Sequence, residues 1–231
     1  MYVKFAIFLS LLTTQAGCVF PWAKSGDEPA VVGQDVRLTI LHTSDVHSRL
    51  IPYHFEPTYT DATVLGLPKR NPGTADYHDN NDYIYGGIAR IGAILDEERA
   101  RAGRVLHLDS GDSFQGALVF NEFAGEAEMR LMTEVGLDAA VVANHEFDNG
   151  AHNLANQYGA WGGFDLLAAN YDFEDGDLPW APALDEMVIP SRLYDLDGLR
   201  VGVIGLANIS SLNSIYDESN SMGITVIEPE E

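Results

Sequence analysis

The stretch Val141–Gly150, with the sequence VVANHEFDNG, constrains the fold of this chain most strongly. A run of small and β-branched residues, Asp138–Ala143, leads into it and predicts a buried strand. An Asn-Gly pair then breaks the chain before a helical pattern begins. Open α/β proteins place their ligands outside the carboxyl ends of their strands, so the residues after this strand form a candidate site. These polar residues are Asn144, His145, Glu146 and Asp148.

Two earlier segments have the same design, a strand pattern followed by polar residues. Val36–His42 alternates and is rich in β-branched residues, which predicts a strand running into Asp45 and His47. These two residues are two positions apart, so in extended backbone they share a face and can grip one cation. Arg104–Asp109 is a short apolar strand that delivers Asp112 at its end. Three strand ends therefore supply the candidate chemistry.

Helical patterns lie between the predicted strands. Phe164–Asn170 predicts a further strand, and Asp197-Gly198 is a hairpin turn signal whose second arm, Leu199–Leu206, is apolar enough for a central strand. The order of strands and helices predicts an α/β fold with helices packed on a largely parallel or mixed sheet. Three helices are predicted from apolar residues that share one face, the second as one continuous helix: Ile88, Ile91 and Leu95; Phe123, Ala127, Leu131 and Val135; Leu154, Tyr158 and Trp161.

The N-terminus has the pattern of a secretory signal peptide over residues 1–17. Lys4 precedes a short apolar run, Phe5–Leu12, and small residues follow up to Cys18. Cys18 is the only cysteine, so an intrachain disulfide is excluded. Its position after Ala-Gly resembles a bacterial lipobox, although Gln15 replaces the usual leucine, and we favour lipidation of Cys18 over ordinary cleavage nearby. Residues 18–35 read as a tether, and we expect a periplasmic, outer-membrane or cell-surface protein.

The net charge of the chain limits the classes of molecule that it can bind. With 13 basic and 35 acidic residues, its formal net charge is −22, which argues against binding a nucleic-acid polymer. A small phosphate ester held at a metal site remains compatible with this charge, because bound cations dominate their local field. We therefore expect a small-molecule substrate, and a membrane contact only through a lipid on Cys18.

Residues Ile51–Tyr83 form the least regular stretch, with four prolines and many Tyr, Asp and Asn residues. They predict a long loop that could overhang the Asp45 and His47 strand end. His54, His78 and the run at 79–82 suggest a second metal site, but the spacing does not match a calcium loop. A surface role is the preferred interpretation.

The polar residues suggest metal chemistry. Oxygen and nitrogen ligands without cysteine suit Mn, Zn or Fe, with Mg or Ca also possible. A carboxylate such as Asp112 can bridge two metal ions about 3.5–4 Å apart, the arrangement used for phosphate ester hydrolysis. A hydroxide shared by the two ions would be the nucleophile. His145 would stabilise or protonate the leaving oxygen, and Asp148 could orient its ring.

These residues also carry a resemblance. Asp45-x-His47, Gly111-Asp112 and Asn144-His145-Glu146 resemble the first three signatures of the calcineurin-like metallophosphoesterases. The strings ILHTSDVH, YGGIAR, NHEFDNG and FDLLAAN are similar to the secreted 5′-nucleotidase branch. The resemblance implies a two-sheet sandwich flanked by helices over residues 36–231. It also implies roles for site residues: Asp45, His47 and Asp112 as ligands of one metal, Asp112 and Asn144 as ligands of the other, and His145 with Asp148 as the catalytic dyad.

The chain departs from the family pattern in two places. Ala143 stands where the family usually has glycine, and no histidine follows His152, although the family draws further ligands from two downstream histidine motifs. The family's C-terminal nucleotide-recognition domain is also missing. We therefore expect a C-terminally truncated domain, the N-terminal portion of a longer protein, with an incomplete metal site.

Three functions stay open from the sequence. The first is hydrolysis of nucleotides in nucleotide catabolism. The second keeps the metals and changes the substrate to a 2′,3′-cyclic nucleotide, a nucleotide sugar or a sulfur ester, because fold and metal motifs do not define the substrate. The third is a non-catalytic surface lipoprotein that keeps the scaffold. The oligomeric state is not indicated.

Overall fold

The computed structural model of the chain describes residues 33–54, 84–173, 180–208 and 224–227. The predicted signal peptide, Cys18 and nearly all of the tether lie outside the described residues, as does most of the predicted loop, with His78 and residues 79–82. Of His54 only the backbone is described. No helix among the described residues is long and apolar enough to cross a membrane.

Short strands alternate with helices along the described chain. The strands are β1 Thr39–Thr43, β2 Tyr53–His54, β3 Ile84–Tyr85, β4 Val105–Asp109, β5 Ala139–Val141, β6 Asp165–Leu167, β7 Tyr171–Asp172, β8 Val188–Ile189, β9 Ser191–Leu196, β10 Leu199–Ile204 and β11 Thr225–Val226. The helices are α1 Ile88–Arg101, α2 Leu118–Phe123, α3 Glu126–Glu134, α4 Ala151–Trp161 and α5 Ala181–Met187, with a 3₁₀ turn at His145–Phe147.

Five strands form a parallel sheet in the order β1-β4-β5-β6-β8. In its register Thr43 lies opposite Asp109, and Asp109 lies opposite Ala140. The carboxyl ends of β1, β4 and β5 therefore meet at one edge of the sheet, and the loops that follow them are neighbours. The predicted α/β class is confirmed, with antiparallel two-stranded sheets beside the parallel one.

The core lies where the helices pack against the parallel sheet. Its apolar residues come from both layers, and each fully buried large side chain stabilises the fold by about 1.5–3 kcal/mol. The largest of these buried apolar side chains are Phe114, Phe147, Leu106, Met132, Leu154, Leu166, Leu167 and Leu184. Phe114 and Phe147 follow β4 and β5, so the core anchors the same loops that carry the polar strand ends.

The second predicted helix is wrong as one continuous element. The chain forms α2 and α3 instead, separated by Ala124 and Gly125, which both have left-handed backbone with φ of 51° and 102°. A Cβ at Gly125 would overlap the ring of Phe114, so a close approach of backbone to a core ring requires glycine here. The four-residue repeat survives on both sides of the break, and for this reason the sequence pattern did not reveal it.

The predicted hairpin is confirmed. Asp197 and Gly198 both have positive φ, 51° and 81°, as a two-residue type I′ turn between β9 and β10 requires. Arg104 fastens the turn to the sheet by donating to the carbonyl oxygens of Leu196 at 2.7 Å and Asp197 at 2.9 Å. The second arm does not occupy a central position among the described strands. There it pairs only with β9, and Ile204 is 69% exposed.

Candidate metal centre

The loops after β1 and β4 are joined backbone to backbone at the carboxyl edge of the sheet. Three N–H groups of the first loop donate to three carbonyl oxygens of the second, continuing the parallel pairing beyond the strands. These bonds are Asp45 to Gly111 at 3.0 Å, His47 to Asp112 at 3.0 Å and Ser48 to Ser113 at 2.9 Å. The side chains of the two strand ends are therefore held at fixed relative positions.

The same loops contain a concentration of left-handed backbone. Five residues that are not glycine have φ between 47° and 61°: Asp45, His47, Ser48, Asp112 and Gln115. Each such residue costs roughly 1–3 kcal/mol, and conformations of this kind persist only where the surroundings impose them, commonly at functional sites. Three of these five residues, Asp45, His47 and Asp112, are ones that the sequence singled out as ligands.

A cluster of two imidazoles and a carboxylate lies at this edge. One ligand atom from each of His47, Asp112 and His145 lies within 4.8 Å of the other two. The two imidazole rings are 4.9 Å apart between centroids, and Asp45 Oδ1 is 3.8 Å from His47 Nε2. Imidazole nitrogens and carboxylate oxygens are ligands for Mn, Zn or Fe, so the donor set fits a divalent cation.

Hydrogen bonds orient the rings of the cluster. His47 Nδ1 lies 3.1 Å from the carbonyl oxygen of Gln115, which can only accept, so Nδ1 carries the proton and Nε2 is left as the ligand atom. Asp112 Oδ1 accepts the backbone N–H of His145 at 3.1 Å, which fixes the carboxylate beside that residue.

His145 and Asp148 form a close pair behind the cluster. Nδ1 of His145 is 2.6 Å from Asp148 Oδ2, and the Asp148 side chain is only 16% exposed. Burial acts to lower the pKa of His145, but the hydrogen bond and charge of Asp148, with the charges of Asp112 and Glu146, outweigh it and raise that pKa. The hydrogen bond engages Nδ1 of His145, and the negative charges around the ring favour a proton on it.

The remaining predicted ligands lie at the same edge in different environments. Asp45 is the most exposed, with 64% of its side chain accessible. Asn144 is half-buried and directly precedes the 3₁₀ turn, which its side chain does not cap. The structure thus brings His47, Asp112 and His145 into one cluster, with Asp45 beside His47 and Asn144 next in the chain to His145.

Comparison with known proteins shows the family to which the chain belongs. The family model described as calcineurin-like phosphoesterase matches residues 38–221. The chain belongs to the calcineurin-like phosphoesterase family. This family assignment confirms the resemblance stated from the motifs.

Two relatives indicate which branch of the family this phosphoesterase resembles. A 5′-nucleotidase of Diplobatis ommata is 34% identical over 169 residues, which cover 73% of this chain and 25% of that protein. The crystal structure of a 5′-nucleotidase precursor from Thermus thermophilus is 30% identical with a TM-score of 0.63, covering 83% of this chain and 32% of that one. The phosphoesterase chain therefore resembles the 5′-nucleotidase branch and spans about a quarter to a third of the length of these relatives.

A protein named for a different reaction has the same fold. A sulfate thiohydrolase from Thermus thermophilus has a TM-score of 0.64 with this phosphoesterase at 21% identity, covering 84% of this chain and 39% of that one. At this identity the likeness is one of fold. The scaffold therefore does not by itself specify the substrate.

The sequence analysis did not assign a role to Glu146. In the structure this residue joins the loop after β4 to the loop after β5. Its buried carboxylate accepts three backbone N–H groups: Asp112 at 3.1 Å, Ser113 at 2.7 Å and Ala143 at 2.9 Å. Burial raises the pKa of Glu146 to about 7, while these hydrogen bonds act to lower it. The only indication in the sequence was the position of Glu146 after His145 in a polar run. That position does not distinguish a metal ligand from a residue that joins two loops by hydrogen bonds.

Proposed function

We propose that this chain forms the metal-binding part of a metal-dependent phosphoesterase that hydrolyses nucleotides, most closely in the manner of a 5′-nucleotidase. The observation that carries the proposal is the cluster of His47, Asp112 and His145 at the carboxyl edge of the sheet. The membership in the calcineurin-like phosphoesterases supports the reaction class. The 34% identity to a 5′-nucleotidase supports the substrate class.

The proposed metal ligands are Asp45 and His47 from the loop after β1, Asp112 from the loop after β4, and Asn144 from the loop after β5. Asp112 would be the ligand common to both ions, because its loop lies between the other two. Divalent ions bound there would polarise the phosphoryl oxygens and lower the pKa of an attacking water. Mn, Zn or Fe suits these ligands, and Mg or Ca is compatible with the oxygen donors.

His145 is proposed to donate a proton to the leaving oxygen of the ester. The pairing of Nδ1 with Asp148 leaves Nε2 as the atom that faces the substrate. The raised pKa of His145 keeps the ring protonated toward higher pH, as a proton donor needs. Asp148 acts through this ring by fixing its orientation and stabilising its positive form.

The test is a substrate panel with the full 231-residue chain and added Mn²⁺. The panel consists of a nucleoside 5′-monophosphate, a 2′,3′-cyclic nucleotide, a nucleotide sugar and a sulfur ester, with Asp112→Asn as the matched inactive control. Release of phosphate from the 5′-monophosphate by the wild type alone supports the proposal. Preference for another substrate replaces the substrate class, and absence of Mn²⁺ binding contradicts the proposed metal centre. Mn²⁺ binding without turnover is the result expected of the metal-binding part alone, as well as of a non-catalytic lipoprotein.

Export to the periplasm or cell surface is proposed on the sequence alone. Residues 1–17 would be removed, Cys18 would carry the lipid, and residues 18–35 would tether the domain to the membrane. Mass spectrometry of the mature protein tests this directly. A diacylglyceryl-modified Cys18 as first residue supports it, and an unmodified N-terminus nearby supports ordinary cleavage.

A further inference from the structure

A chain of polar side chains, two of them buried, runs beneath the metal loops and has no part in the proposed reaction. It consists of His107 in β4, Thr43 at the end of β1 and Asp109 at the end of β4. Thr43 Oγ1 lies 3.0 Å from His107 Nε2 and 2.5 Å from Asp109 Oδ2. His107 is fully buried, Asp109 is 3% exposed and Thr43 between them is half-buried.

One hydrogen bond of this chain has a defined direction, because Thr43 Oγ1 donates to Asp109 Oδ2. Burial, with the charge of Arg99, lowers the pKa of His107 to about 4, so its ring is neutral and carries a single N–H. The Thr43 hydroxyl therefore links the neutral ring of His107 to the carboxyl group of Asp109.

The other oxygen of Asp109 points at the metal loop. Oδ1 accepts the backbone N–H of Gly111 at 2.8 Å, and the carbonyl of Gly111 accepts the N–H of Asp45 at 3.0 Å. Gly111 has a φ of 88°, and a Cβ there would lie 2.6 Å from the Val141 oxygen. The turn at Gly111 is therefore tightly packed between strands. Asp109 holds it by accepting the N–H of Gly111, the residue directly before Asp112.

Asp109 is not placed to bind a metal itself. Both of its oxygens already accept a proton donor, and its side chain lies within the sheet rather than in the cluster of His47, Asp112 and His145. Its effect on the site has to pass through the Gly111 turn. Groups that orient metal ligands from behind in this way commonly contribute 10–100-fold in metal affinity.

We propose that Asp109, oriented by Thr43 and His107, is a positioning residue that sets the Gly111 turn and thereby the metal ligand Asp112. The inference rests on the proposed function in so far as Asp112 binds a metal. It extends that function by adding three residues from β1 and β4 to the determinants of metal affinity.

The primary test compares Thr43→Val with Thr43→Ser in the full chain. Valine keeps the volume and removes the hydroxyl, whereas serine keeps the hydroxyl and serves as the matched control. We expect Thr43→Val to weaken Mn²⁺ binding by about tenfold or more, measured by calorimetry, and Thr43→Ser to stay within about twofold of wild type. Equal Mn²⁺ affinity in the two variants overturns the proposal, whatever their stabilities.

Hydrogen exchange at the Gly111 amide is a second readout that needs neither metal nor substrate. We expect faster exchange in Thr43→Val than in Thr43→Ser, and unchanged exchange overturns the proposal. If the wild type binds no Mn²⁺, the proposed function fails, while faster Gly111 exchange in Thr43→Val still supports the control of the turn by Asp109. The two failures are therefore distinguishable.

Discussion

The two edges of the parallel sheet both gather acidic side chains, but they use them differently. At the amino edge a surface cleft is lined by five carboxylates together with Arg99 and Arg104: Asp96, Glu134, Asp138, Asp195 and Asp197. Arg99 lies 3.7 Å from Asp96 and donates to the carbonyl oxygen of Val135 at 2.7 Å. At the carboxyl edge the carboxylates of Asp45, Asp112 and Asp148 have histidines as neighbours instead.

The comparison shows that a group of carboxylates does not by itself define a metal site. At the amino edge guanidinium groups supply permanent positive charge and bond to backbone carbonyls, so these carboxylates stabilise the fold. At the carboxyl edge the partners are imidazoles, which can release a proton and become ligands. Strained backbone is also concentrated there, at Asp45, His47, Ser48, Asp112 and Gln115. Substitutions at the two edges should therefore have separable effects on metal binding and on stability.

The largest expected effect is on the shared ligand. Asp112→Ala should abolish detectable binding of Mn²⁺ and reduce phosphoesterase activity by about a thousandfold or more, because the metal would lose the carboxylate between the loops. Metal content by mass spectrometry and turnover measure this. The matched control is Asp96→Ala at the amino edge, whose carboxylate is 82% exposed and which should leave both unchanged. Equal losses in the two variants would remove the distinction between the edges.

His145→Ala should separate chemistry from metal binding at the carboxyl edge. In a full-length version of the protein, we expect turnover to fall by about 10²–10⁴-fold, the range for loss of a positioned proton donor, with metal content nearly intact. Comparison with Asp112→Ala under the same dialysis conditions is the measurement. Metal loss as complete as that of Asp112→Ala would instead make His145 a ligand.

Between the two edges, His107 should make stability depend on pH. Its folded pKa of about 4 lies below the ordinary 6.5, so its contribution is fully present above pH 6.5 and is lost as pH falls toward 4. The loss is on the order of 3 kcal/mol. Urea unfolding at pH 7 and pH 4.5 should show a smaller difference for His107→Gln than for wild type. His42→Gln, at an exposed histidine of β1, should keep the wild-type difference, and the same flattening there would contradict the assignment to His107.

The smallest expected effect is at the amino edge. Arg104→Ala removes two charged donors to the hairpin carbonyls of Leu196 and Asp197, which should cost about 1–2 kcal/mol of unfolding free energy. Affinity for Mn²⁺ should not change. Arg101→Ala, which breaks only pairs with Glu97 and Glu98 within α1, should cost about 0.5 kcal/mol or less. A change of metal affinity in Arg104→Ala would mean that the two edges are coupled.

Features set by local sequence could be predicted, and those set by distant contacts could not. The polar ends of β1, β4 and β5 followed from strand patterns, and the hairpin followed from Asp197-Gly198. The break between α2 and α3 depends on a contact of Gly125 with Phe114, which no periodicity contains. The clamp of Glu146 depends on N–H groups more than 30 positions away, at Asp112 and Ser113. The roles of Asp45, His47, Asp112, Asn144, His145 and Asp148 stay predictions.

The left-handed backbone of the loops after β1 and β4 affects when the protein could acquire a metal ion. The cluster joins His47, Asp112 and His145, which are far apart in the chain, and the backbone bonds that impose its strained conformations exist only once β1, β4 and β5 have paired. An unfolded chain relaxes these residues and scatters the three side chains. Metal loading would therefore follow sheet assembly, and a newly made chain would not sequester stray cations before it has folded.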